Sequence, residues 1–168
     1  MPVSQVSQEL GGGDKTVKVV TLSKTQFDEF PQGAVWNAFV DLLCLSTESE
    51  LSPEQLSAFH AFWYDAEVQN GGHLQYFLNR GVEEAGRAVL SLRSLGAHEH
   101  ADLLDTALTL RSTDTRRPPR TVWGCVKRAR EGKFDEFDRT YHEIHPSMFE
   151  VLENHLRQNQ QLFVVLGP

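Results

Sequence analysis

Apolar residues along this chain recur mainly at three- and four-residue steps, the period of one face of an α-helix. Val35, Phe39, Leu42 and Leu43 share a face behind Pro31, a residue suited to the first helical position. Leu56, Phe59, Trp63 and Ala66 follow Ser52-Pro53-Glu54-Gln55, where an N-cap serine and a glutamine three residues later make a capping box and Glu54 complements the helix dipole. The stripe resumes at Leu74, Phe77 and Leu78. Later faces are Ala85, Val89 and Leu92 ahead of Gly96; Ala97, Ala101, Leu104 and Leu108; Val122, Cys125, Val126 and Ala129; Phe134, Phe137, Tyr141 and Ile144; and Phe149, Leu152 and Leu156 behind Pro146. The largely β-branched run Val17, Val19, Val20 and Leu22 is instead an extended segment, lying on the helices or pairing across a dimer. The apolar tail from Phe163 to Leu166 docks on the body or on another subunit. The pattern predicts an all-α, compact single-domain bundle of about six to eight helices, with room for a short N-terminal extended segment. Residues 1–15, polar and holding Gly11-Gly12-Gly13, form a flexible arm, and 16–168 form one helical domain. The polar stretch from Ser112 to Pro119 is the clearest loop.

One stretch, Glu67 to Gly81, interrupts the helical pattern with polar, aromatic and glycine residues. Gly71-Gly72 removes side chains and permits positive φ, so a helix ending at Asn70 can turn and restart at once. Two readings follow. In the structural one, Asn70 caps a helix and Gln75 or Asn79 bonds freed backbone groups. In the functional one, Glu67, Asn70, Gly71, Gly72, His73, Gln75, Tyr76 and Asn79 line a small polar pocket, with His73 and Tyr76 the exposed members.

Glu67-Val68, Asn70-Gly71-Gly72, Gln75-Tyr76-Phe77 and Asn79, followed by Leu95-Gly96-Ala97 and the alanine- and leucine-rich run to Leu110, resemble a family named after a bacterial DNA-mimic protein, whose shared domain is that protein's C-terminal region. The resemblance covers residues 53–110 and extends more loosely to 157 through Phe134, Phe137, Asp138 and Tyr141. It implies an all-helical domain that can dimerise, and an acidic surface that stands in for a phosphate backbone before a DNA-binding protein.

Charge is segregated along the chain. Between Thr25 and Asn79 there are eight acidic residues and no lysine or arginine, whereas Asp105 to Arg130 holds seven basic residues against two acidic ones. Asp41, Glu48, Glu50, Glu54 and Asp65 are the candidate acidic interaction surface. The net charge of −7 disfavours direct nucleic-acid binding, although Arg116, Arg117 and Arg120 with Trp123 can form a local anion site. The basic region serves self-association or a second, acidic partner.

Chemistry-bearing motifs are sparse. There is no GxSxG, P-loop or dinucleotide fingerprint, so the usual handles of hydrolases and nucleotide enzymes are missing. His142-Glu-Ile-His145 lacks the four-residue spacing of a zinc-protease helix, and Asp138, His142 and His145 remain a conceivable carboxylate-imidazole set. His98 and His100, two apart, point to different helix sides. Cys44 and Cys125 stand alone among apolar neighbours, and each is expected to be a small buried thiol. No catalytic residue, metal or cofactor is assigned. The expected role is a non-catalytic, cytoplasmic, homodimeric protein-interaction domain whose partner has a basic surface, such as a DNA-binding regulator, with no membrane association. The alternative is a small-molecule-binding protein or hydrolase using the polar pocket.

Overall fold

The computed structural model describes residues 5–8 and 17–167. Most helix starts follow the local chemistry of the sequence. Ser23 and Gln26 form a capping box at α1 (Lys24–Glu29), and Pro31 stands at the first position of α2 (Pro31–Leu45). Glu50 reaches back to the Thr47 N–H over 2.8 Å to set a 3-10 turn, Glu48–Glu50. The Ser52 N–H donates to Gln55 Oε1 and the Gln55 N–H to Ser52 Oγ, opening α3 (Pro53–Ser94). Then follow α4 (His98–Ser112), α5 (Val122–Ala129), α6 (Asp135–Glu143) and α7 (Met148–Asn159). Gly96, with φ +77°, lies beyond the end of α3, and the Ala97 N–H donates to the Leu92 carbonyl over 2.9 Å. The all-α class and the number of helices agree with the expectation, with seven α-helices among the described residues. No described helix is long and apolar enough to cross a membrane.

Contacts divide the chain into two units: Met1–Phe59 with Phe149–Pro168, and His60–Met148. The first unit holds a three-stranded sheet in the order β1 (Gln5–Gln8), β2 (Val17–Leu22), β3 (Val164–Leu166). β1 runs antiparallel to β2 with Gln5 opposite Val20, and β3 runs parallel to β2 with Val164 opposite Val20. The extended segment thus finds partners at both ends of the chain, and the apolar tail is a strand rather than a cover. Of the arm expected over residues 1–15, only Gln5–Gln8 fall among the described residues, and they are β1. α2 packs on β2 and β3, with Phe39 edge-on to Phe163 at 5.0 Å. Gln55 is buried here, and its Nε2 donates to the Lys18 and Leu162 carbonyls at 2.8 and 2.6 Å. One residue therefore starts α3 and joins it to β2.

In the second unit α4 packs on α6, and the small Ala85, Ala88, Ala101 and Ala107 are buried, which permits close helix approach. Four expectations about burial are corrected. The fully sequestered face before Gly71 is Ala58, Ala61, Tyr64 and Val68, one row round from the predicted stripe, of which only Phe59 is buried. Trp63 stays half-buried because the Arg80 guanidinium lies 3.8 Å over its ring. On α5 nothing is buried, and Val122 and Trp123 are about four-fifths exposed, so its apolar positions do not form a core face. Phe149 is likewise half exposed, against Trp36. Cys44 is exposed and Cys125 half-buried, so neither is the buried thiol expected.

Candidate functional site

The break in α3 is built from backbone outward. Gly71 is extended (φ −165°), and Gly72 takes φ +73°, where L side chains are strained. A Cβ at Gly72 would also meet Asp138 Oδ2 at 2.3 Å, so glycine is required by the turn and by the carboxylate above it. Asp138, on α6, accepts the His73 main-chain N–H at 2.8 Å on Oδ1. The restarting helix therefore takes its N-terminal cap from another element. A second departure from helical backbone follows at Gly81, with φ +80°.

His73 Nδ1 lies 2.7 Å from the same Oδ1 and Nε2 lies 2.9 Å from Tyr64 Oη. A carboxylate partner places the proton on Nδ1, so Nε2 accepts from the Tyr64 hydroxyl. Burial, followed by the charge of Tyr76 and the carboxylates, raises the Tyr64 hydroxyl well above its ordinary value and keeps it a donor. Burial alone would raise the Asp138 carboxyl, but the bonds from the His73 ring and backbone outweigh it and leave the group lowered. Beside this chain Tyr141 donates to Asp65 Oδ1 at 2.5 Å, and burial with the Asp65 charge raises its hydroxyl. Tyr64 lies edge-on to Tyr76 and Tyr141 at 5.1 and 5.5 Å.

A second set of bonds spans the break nearer the surface. Glu67 Oε2 accepts from Gln75 Nε2 at 3.1 Å and from Asn79 Nδ2 at 2.8 Å, while Oε1 lies 3.4 Å from Arg80 Nε. Gln75 folds over Gly71, where a Cβ would meet its Oε1 at 2.1 Å. One carboxylate before the turn thereby holds three side chains after it.

The expected pocket residues are thus divided. Glu67, Gln75 and Asn79 come together, and Asn70, Gly71, Gln75 and Asn79 line a groove of about 480 Å³ against Cys125, Val126 and Ala129. His73 and Tyr76, expected at the surface, are fully buried, because the imidazole is needed inside to join Tyr64 to Asp138 and the Tyr76 ring fills the aromatic cluster. The Tyr76 hydroxyl is buried without a hydrogen-bond partner. Hydroxyl, imidazole and carboxylate stand in the order of a proton relay. With Tyr64 and His73 sealed from solvent, the arrangement fixes the fold at the break instead. Tyr64, Asp138 and Tyr141 had no signal in the sequence that would join them to His73, since Asp138 lies 65 positions away. Asp138 is engaged with His73 while His142 and His145 face solvent, so the conceivable metal set is not gathered. His100 is buried as well, its Nε2 without a partner, and burial pushes its imidazole down to about 4, whereas His98 faces solvent.

The acidic candidates are unequal. Asp41, Glu48 and Glu50 are half-buried and Glu54 is exposed, all in the first unit, whereas Asp65 lies in the second and holds Tyr141. Glu50 is 2.7 Å from Lys18 Nζ, and the bonds from Lys18 and Thr47 lower its carboxyl to about 2. Glu54 is lowered by its own backbone N–H and by Ser52. Among the basic candidates, Arg116 is held by Asp114 and Glu131 at 2.7 and 2.9 Å, which withdraws it from the expected anion site.

The family described as DMP19-like protein matches residues 49–159. The chain belongs to the DMP19-like protein family. No curated protein and no solved structure matches it. The DMP19-like match contains the whole of α3 with its break and runs through α4, α5, α6 and α7, so the Glu67 clamp and the Tyr64-His73-Asp138 chain both lie inside it. The strands of the first unit lie outside it.

Proposed function

We propose that this chain is a non-catalytic protein-interaction domain of the DNA-mimic kind, whose acidic first unit meets the basic face of a nucleic-acid-binding regulator. The observation that carries the reading is the division of charge. The sequence of the first unit holds ten acidic and four basic side chains, a net of −6, and that of the second thirteen and twelve, a net of −1. Nearly all of the −7 belongs to one unit. Carboxylates on that unit occupy the place of phosphates, steer the partner by long-range attraction and give binding that weakens with salt. Membership of the DMP19-like family supports the same role. Of its acids, Asp28 and Glu29 are exposed and Asp41 is half-buried, whereas Glu50 serves Lys18 and the Thr47 cap. The domain acts in the cytoplasm as a homodimer, the assembly that the family resemblance implies.

The alternative, a hydrolase or small-molecule site formed by the polar groups of the break, has less support. Glu67, Gln75 and Asn79 bond to one another, and His73 and Tyr76 are buried. The test is displacement: a panel of purified basic DNA-binding regulators, each prebound to a fluorescent duplex, is titrated with the protein. Release of the duplex from at least one regulator, stronger at 50 mM than at 300 mM salt, is expected. Failure to release any of them by a protein shown to be folded would sink the reading. Light scattering on the same sample reports the dimer.

A further inference from the structure

Gln75 and Asn79 line the groove of about 480 Å³ beside α5, and Glu67 fixes which way their amides point. An ionised carboxylate can only accept, so both amide nitrogens face Glu67 and both carbonyl oxygens turn away from it. Neither oxygen has a hydrogen-bond partner among the described residues. The bonding that closes this set to catalysis therefore leaves two oriented acceptors, four residues apart on one helix.

The rest of the groove is uncharged. Leu74 and Leu78 are half-buried along its α3 side, and Val126 stands opposite on α5, whose regular apolar positions join no core. Charge enters only at the flank. Arg80 answers Glu67, while Arg116 is paired with Asp114 and Glu131 and Arg128 acts on both of these acids through space. Arg117, Arg120, Lys127 and Arg130 are left over, all exposed and without a carboxylate partner among the described residues. Arg130 lies one turn beyond Val126 on the same side of α5, and Lys127 is next to it.

We propose that the groove binds a short extended segment of a partner protein, apolar and acidic in sequence. Alternate main-chain N–H groups donate to Gln75 Oε1 and Asn79 Oδ1, an apolar side chain lies over Leu74, Leu78 and Val126, and a carboxylate meets Lys127 or Arg130. The spacing suits an extended chain. Such a chain presents N–H groups on one side at every second residue, about 6.8 Å apart, and residues four apart on a helix are separated by about 6 Å along its axis. A docked helix beyond its first turn has no main-chain N–H free for these acceptors. Every residue named belongs to the second unit, so the site does not depend on the acidic first unit.

Selection of phage-displayed random heptapeptides on the immobilised full chain, followed by fluorescence polarisation with the best sequence made synthetically, tests it. Enriched sequences should hold an apolar residue within two positions of aspartate or glutamate. N-methylation of two N–H groups two residues apart should weaken binding tenfold or more, and methylation of the one between them less than twofold. Val126→Asp should cost tenfold and Asn79→Ala about fivefold, while Lys127→Glu and Arg130→Glu should each cost about threefold, less at high salt. Leu90→Ala, which removes an equally exposed apolar side chain outside the groove, should change nothing. Circular dichroism confirms that each variant is folded. No enrichment over a blocked surface would overturn the site, as would binding that Val126→Asp and Asn79→Ala leave unchanged. Equal losses on methylation at every position would replace the extended segment with a helix, and full displacement of the peptide by a short oligothymidylate would replace it with a nucleic acid.

Discussion

A residue at position 72 must satisfy two demands at once, a positive φ and the approach of a carboxylate to the place of its Cβ. Gly72→Ala is therefore expected to destabilise the protein by more than ~2 kcal/mol, through backbone strain and displacement of Asp138. Gly86→Ala, inside α3 where a Cβ meets nothing within 4 Å, should instead stabilise it by about 0.5–1 kcal/mol. Urea unfolding of both variants checks the contrast. His100 gives a pH signature. Its imidazole is held down at about 4 by burial, so the unfolded chain takes up the proton first, and stability falls as pH is lowered from about 6.5 toward 4. The wild-type protein should lose on the order of 1–2 kcal/mol from this group between pH 6.5 and 4.5. His100→Leu should remove that part of the slope. A smaller part remains, because burial lowers His155 in the same direction. The Asp138 carboxyl, lowered below 3.8, has the opposite sense: its stabilisation is full above that value and disappears only in stronger acid.

At the scale of elements, two bonded sets fix the break in α3, and they differ in depth. Asp138→Ala leaves the His73 N–H and Nδ1–H without their acceptor, and a loss of about 2–3 kcal/mol in urea unfolding is expected. Much of the fold was legible in the sequence because its causes are local: Pro31 and the Ser52-Gln55 box start helices where expected, and Gly71-Gly72 interrupts one. The sheet was not, because β2 pairs with segments from both ends of the chain, and no short-range pattern joins Val20 to Val164. The same limit hid the inside of the site. Glu67, Gln75 and Asn79 are near in sequence and were grouped, whereas Asp138 reaches His73 only through the packing of α6 on the restarted helix. Periodicity also misled on α5, whose regular apolar positions remain outside the core. That exposure has its own check: Trp123→Phe should abolish most of the acrylamide-quenchable tryptophan fluorescence, since Trp36 and Trp63 are both half-buried.

For the whole molecule the question is whether the total charge matters or its location. A net of −7 spread evenly would repel anions and attract cations without selecting a surface. Here the first unit's sequence carries −6 and the second's −1, so location and total can be separated by two variants of equal charge. One carries Asp28→Asn, Glu29→Gln and Asp41→Asn in the first unit; the other carries Glu83→Gln, Glu99→Gln and Glu136→Gln, all exposed in the second. Both have a net charge of −4, three less negative than the wild type. If the acidic unit is the contact surface, the first variant should displace a bound regulator from its duplex roughly tenfold less well at low salt, with the difference shrinking as salt screens the remaining carboxylates. The second should stay within about twofold of the wild type. Equal losses in both variants would mean that only bulk charge is sensed, and a larger loss in the second would move the contact surface to the helices around the break.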